Sequence, residues 1–305
     1  MISFRYHIVS IIAVFLALAL GIVIGASGLR GAVLDDLHKQ VRTLKSENIS
    51  LRSDNEKLTN ESGDANDYAT QYASKVLANT LTGQSVVIVT TPGADKEGNI
   101  ASAVSKAITA AGGKVTGRIG LTSAYLDPSS GPAITSLVTK DQPTGLTLPS
   151  TDDPAALAGA ALGYTLSTKG APDERRTLLA EFASKSLLTV PSSEVAAANL
   201  ALVITSGSLN TKDAWAKSLI TMTSQFTSQS LNAVVAGDTD SAQPNGLIAA
   251  VRGDDLAKVV STVDNADTGI GQVTTALALS GLLTGVVDQY GTGPGAKDLF
   301  PSPAK

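Results

Sequence analysis

The chain has no cysteine among its 305 residues, two methionines and two histidines. Disulfides, thiolate metal sites and cysteine nucleophiles are thereby excluded together. His7 and His38 both precede the region that reads as a folded domain. That domain can therefore build neither a Ser-His-Asp triad nor an imidazole metal site. Aromatic residues make up 4% and charged residues 16%, the net charge is −4, and there is no basic block. Nucleic acid is therefore not an expected partner. No Walker-type glycine loop and no aromatic-lined carboxylate pair stands out. The expectation is a non-enzyme with no cofactor and no metal.

What is present begins with Ile8 to Ala26, an uncharged stretch bounded by Arg5 and His7 on one side and Arg30 on the other. As a helix it would extend roughly 28 Å, close to the ~30 Å of a bilayer's hydrocarbon core. Ile8, Ile12, Phe15, Leu18 and Ile22 are the expected lipid-facing anchor residues. The rival is a cleaved secretory signal, whose apolar part usually runs about 7 to 15 residues. The longer run here favours a retained anchor. Arg5 before the helix, with Asp35 and Asp36 soon after it, favours an internal amino terminus and an extracytoplasmic remainder.

Leu34, Leu37, Val41, Leu44, Asn48, Leu51, Asn55 and Leu58 then follow at alternating steps of three and four. This is a heptad pattern with leucine at every d position, and Glu47 to Arg52 has the spacing that pairs charges across a parallel two-stranded coil. Asparagine at two a positions fixes register and favours two strands. A parallel homodimer is expected; the alternative is a lone amphipathic helix folded back on its own domain. Ser62-Gly63-Asp64 interrupts the repeat.

From Ser85 the period changes. SVVIVTT reads as a strand buried on both faces, Ile100 to Ala111 as a helix, and Val115 to Leu121 as a second strand, a βαβ unit. Five prolines make residues 126 to 154 mostly loop around a short helix at Ile134 to Thr139. Helices are expected at Ala155 to Tyr164, at Glu174 to Ser184 with Asp173 as N-cap, at Lys212 to Gln229 and at Gln272 to Leu283. Strands are expected at Leu200 to Thr205, Leu231 to Ala236, Leu247 to Val251 and Val259 to Val263. The predicted class is α/β: one transmembrane helix (1–30), a parallel coiled coil (31–62), a helical connector (63–84), a mostly parallel doubly wound domain (85–290), with a subdivision near 150 left open, and a flexible tail (291–305).

Two places in the domain could hold a ligand. Asp238 and Asp240 follow a predicted strand, where two carboxylates could hold a magnesium ion with a phosphate; a solvated acidic loop is the plainer reading. Asp264 and Asp267 precede Gly269 and Gly271, which open a helix whose free N–H groups could take an anion. Simple capping is the plainer reading there.

The opening MISFRYHIVSIIAVFLALALGIVIG, the heptad segment, SVVIVTTPGAD and the closing VSTVDNADTGIGQVTTALALSGLLTG with DQYGTG together resemble the actinobacterial family named for the mycobacterial copper transport protein B. The resemblance runs nearly end to end. It implies copper efflux or tolerance, with an outer-membrane pore, while corynebacterial relatives imply a role in cell separation with a membrane partner that controls peptidoglycan hydrolysis. Copper sites rely on Cys and Met sulfur or on imidazole, and the domain has little of any of these. A transmembrane barrel needs many ~10-residue alternating strands, which are not seen. The residues therefore rank first a dimeric, non-catalytic envelope scaffold of the cell-separation machinery, with membrane lipid, a second copy and a cell-wall protein as partners. Copper transport ranks second, and an anion-binding head third.

Overall fold

The computed structural model describes residues 4–95, 97–140, 142–191, 194–207 and 213–302. The chain divides into two units, Met1–Gly63 and Asp64–Lys305. Helix α1 (Phe4–Val76) contributes to both. In the first unit, Phe4–Gly25 is long and apolar enough to cross a membrane. Ile8, Ile12, Phe15, Leu18 and Ile22 are exposed on it, as are Leu34, Leu37, Val41, Leu44, Leu51 and Leu58 further along. The structure shows the helix that the heptads imply and not a coil. Ser62-Gly63-Asp64 breaks the heptad pattern without breaking the helix.

The second unit is a seven-stranded sheet with helices on both faces. In chain order its elements are β1 (Ser85–Thr90), α2 (Asn99–Ala110), β2 (Lys114–Leu121), α3 (Ser123–Leu126), α4 (Gly131–Lys140), α5 (Pro154–Leu166), α6 (Pro172–Ser184), β3 (Leu188–Thr189), β4 (Leu200–Thr205), α7 (Asp213–Ser228), β5 (Asn232–Gly237), α8 (Leu247–Arg252), β6 (Ser261–Val263), α9 (Gly269–Gly281) and β7 (Gln289–Tyr290). The strand order is β3-β2-β1-β4-β5-β6-β7. All pairings are parallel except β2 with β3. The expected α/β class and mostly parallel sheet are found.

Strand side chains alternate between faces. Val86 and Ile88 join one core with α2 and α9, while Val87 and Val89 join the other with α4 to α7. Both faces are covered, which is why β1 and β4 read as continuous apolar runs rather than alternating ones. On the second face α5 and α7 pack backbone to backbone. A Cβ at Gly159 would stand 2.8 Å from Cα of Met222, and one at Gly163 would stand 3.0 Å from Cα of Phe226.

Several expectations are corrected. Leu247 to Val251, expected as a strand, is helix α8, with Leu247, Ile248 and Val251 buried at helical spacing. Helix α6 starts at Pro172 with Ala171 at the N-cap, so Asp173 lies in the first turn instead of capping it. Helix α9 begins three residues earlier than expected, at Gly269. The proline-rich stretch holds a ten-residue helix, α4. Lys212, the expected start of α7, lies outside the described residues. Residues 291–298, expected as a flexible tail, are tied to the sheet: Gly291 N–H donates to Asp298 O and Lys297 N–H to Gln289 O.

Candidate functional site

In a doubly wound sheet, ligands sit beyond the carboxyl ends of the strands where the order reverses. Here that point lies between β1 and β4, which run parallel from Val86–Thr90 and Leu200–Ile204. A crevice of about 710 Å³ lies there, lined by Gly93, Asp95, Glu97, Asn99, Ser206, Asp267 and Gln272. Three of these residues are acidic, so the crevice disfavours an anion.

Its two helix N-termini are already filled from within. Both carboxylate oxygens of Asp95 cap α2, accepting from Ile100 N at 2.8 Å and Ala101 N at 2.9 Å. At α9, Thr268 Oγ1 accepts from Gly271 N at 3.0 Å and Asn66 Oδ1 from Ile270 N at 3.3 Å. Two of the N–H groups that would hold a phosphate are therefore already engaged at each helix start. Gly269 and Gly271 serve close packing: a Cβ on Gly269 would meet Asn66 O at 2.4 Å, and one on Gly271 would collide with Asn265 O.

The four aspartates divide into different jobs. Asp238 accepts from Gly207 N at 2.8 Å and Ser241 N at 3.0 Å, tying the end of β4 to the turn after β5. Asp240 is exposed in that turn. Asp264 is fully buried and paired with Arg252 Nη1 at 2.7 Å, and it accepts from Thr292 N at 2.7 Å and Gly293 N at 3.0 Å. Asp267 alone lines the crevice. Desolvation raises its pKa above the usual carboxylate value, and the charges of Asp238, Asp240 and Asp264 add to the rise. The first and second pairs thus do not converge on one ion. Among the described residues no group of three or more His, Asp or Glu is placed to hold a metal.

Sequence reasoning missed Asp95 and Arg252. Asp95 sits two residues after Gly93 in a loop whose helix start is four residues further on, so its capping role had no local spacing signal. Arg252 reaches its partner Asp264 across 12 residues and two elements.

The family profile described as "Copper transport outer membrane protein, MctB" matches residues 1–301. The chain belongs to the MctB family. Its relatives include proteins named Copper transporter MctB from Mycobacterium bovis and Mycobacterium tuberculosis, each 33% identical over 98% of this chain and 99% of the relative. A third, from Mycobacterium leprae, is 34% identical over the same shares. These names stand with copper transport and none speaks for cell separation, so the order in which the residues alone ranked those two roles is reversed. The MctB family name also sets the geometry a question. The family description speaks of an outer membrane protein, but the sheet is open, with two-residue strands β3 and β7 at its edges. The one described helix long and apolar enough to cross a bilayer is Phe4–Gly25.

Proposed function

We propose that this protein acts in copper transport or tolerance at the cell envelope, as a single-pass, membrane-anchored, non-catalytic component that does not itself chelate copper. The carrying observation is the family match along 1–301, with relatives named as copper transporters at one third identity over nearly the whole chain. The residue chemistry supports the absence of chelation, since the chain offers no cysteine and two methionines where copper(I) carriers use sulfur. Copper is then cargo or stimulus rather than a resident ligand.

The anchor is Phe4–Gly25, retained and followed by an extracytoplasmic head. A second copy completes the stalk through Leu34, Leu37, Val41, Leu44, Asn48, Leu51, Asn55 and Leu58. In favour of that pairing, the apolar members of the stripe are exposed on the single chain, Leu51 at 68% and Leu58 at 65%, and a lone helix gains nothing from leaving them in water. Doubling the head would raise its avidity for any envelope partner.

The test is copper accumulation and survival in a strain lacking the gene. Excess cellular copper and sensitivity to added copper, both reversed by the full chain, are expected. Unchanged copper content and survival would sink the reading.

A further inference from the structure

A second hollow, of about 830 Å³, lies between α6 and a wall formed by Val190 and residues 194–197 and shares no residue with the acidic crevice. Its walls are largely aliphatic, with Leu179, Ala180 and Ala183 on α6 and Val195 and Ala197 opposite; Arg176 and the exposed Glu194 also line it. Two unspent sets of donors border it.

The first belongs to Arg175, which lines the hollow although only 4% of its surface is exposed. Its Nε donates to Thr165 O at 2.7 Å, and its Nη2 to Gly170 O at 2.8 Å and Ser167 O at 3.3 Å. No carboxylate pairs with it among the described residues, and Nη1 has no protein acceptor there. A buried guanidinium without a counter-charge is costly. Arg176 beside it is exposed and already paired with Asp173.

The second set is on the opposite wall. Ala196 N–H donates to Thr116 O on β2 at 3.0 Å and Ala198 N–H to Leu166 O at 2.9 Å. Successive N–H groups of an extended chain point to opposite sides. Val195 and Ala197 thus direct theirs away from those partners, and neither finds an acceptor among the described residues. Two N–H groups two residues apart are what an added strand pairs with.

We propose that the groove between α6 and residues 194–197 docks the extended carboxy-terminal end of an apolar peptide, its terminal carboxylate on Arg175 Nη1 and its backbone carbonyls on the N–H groups of Val195 and Ala197. An acyl chain with a carboxylate would answer the guanidinium and the aliphatic walls but would leave both N–H groups facing hydrocarbon, a loss that a peptide avoids. The proposal does not rest on the copper reading.

Fluorescence anisotropy tests it on the full-length protein in detergent micelles, with the amino-terminally labelled pentapeptide acid Ser-Val-Ala-Val-Val as probe. Saturable binding is expected, weaker by about tenfold or more for the same peptide ending in an amide, because a charge-assisted bond is lost. Ala180→Trp fills the groove from an exposed position and should abolish binding with the unfolding temperature unchanged. Ala197→Pro, which removes one donor, should weaken binding about fivefold. Equal binding of acid and amide, or binding undisturbed by Ala180→Trp, would overturn the proposal. So would failure of both peptides to bind at about 1 mM, the weak end of specific recognition; if decanoate bound in that case, the groove would pass to an acyl carboxylate.

Discussion

Replacing Arg252 by methionine leaves the Asp264 carboxylate buried without its ion partner. Arg252 is also the centre of a wider set of bonds: Nε to Thr262 Oγ1 at 2.9 Å, Nη1 to Pro294 O at 2.7 Å and Nη2 to Tyr290 O at 2.7 Å. The two side chains are 5% and 0% exposed, so solvent cannot take over when one is removed. Breaking such a pair costs about 3 to 5 kcal/mol. For a unit of this size each kcal/mol moves the melting temperature by about 2 to 4 °C, so a fall of roughly 6 to 20 °C is expected. Arg176→Ala is the matched control: its pair with Asp173 is 78% and 91% exposed, and such surface pairs contribute about 1 kcal/mol or less. Thermal unfolding of the two variants side by side, followed by circular dichroism, gives the comparison. Because Arg252 holds the carbonyls of Tyr290 and Pro294, tryptic cleavage after Lys297 should also quicken in Arg252→Met and not in Arg176→Ala. Equal melting shifts for the two variants would refute the reasoning.

Further outcomes follow from other contacts. Gly271→Ala should destabilise the head by several kcal/mol, as a forced backbone clash does, seen as a lower urea midpoint; a shift under about 1 kcal/mol would contradict the packing described. The Tyr125 hydroxyl is buried without a partner among the described residues, so Tyr125→Phe should hold or raise the melting temperature, and a clear loss would show that the hydroxyl does have one. Asp267 has its pKa raised in the folded state, so the folded form binds its proton more tightly and this contribution to stability is lost as pH rises through that raised value. Asp267→Asn should therefore melt higher than the parent near neutral pH, with the gap closing below the unfolded carboxylate value; a gap independent of pH would refute this. Glu174 works in the opposite direction, its pKa lowered by the Thr144 N–H, but it is common to both proteins and cancels in the difference. Asn48→Leu with Asn55→Leu should change the oligomeric state, or broaden it, in light scattering, since buried asparagine specifies two strands; a monomer before and after the change would remove the coil.

Long, uniformly patterned segments were legible in the residues. The anchor, the heptad helix and the β-branched runs of β1, β4 and β5 each carry one period over six residues or more, and the structure places a helix or strand at each. Short segments were not. LIAAV is as compatible with a strand as with one and a half helical turns, and Gly246 at the N-cap of α8 tips it only once Ile248 and Val251 have a core to face. Strands β3 and β7 have two residues each, too few to show any period. Of the ligand candidates, Asp238 and Asp264 do directly follow strands β5 and β6 as read, but their partnerships were not legible. Asp264 finds Arg252, Thr292 and Gly293 only through tertiary contact, and GIG is explained by Asn66, Thr70 and Asn265 pressing on its glycines. The groove at Arg175 had no sequence signal, because its meaning lies in a counter-charge that the described residues do not supply.

The central claim, copper handling by an anchored protein, is tested most directly by cellular copper content in a deletion strain under graded copper. The strain would be complemented with the full chain or with a chain lacking residues 4–25. The account predicts excess copper and poor survival in the deletion, reversal by the full chain, and no reversal without the helix. Normal copper content and survival in the deletion strain would contradict it.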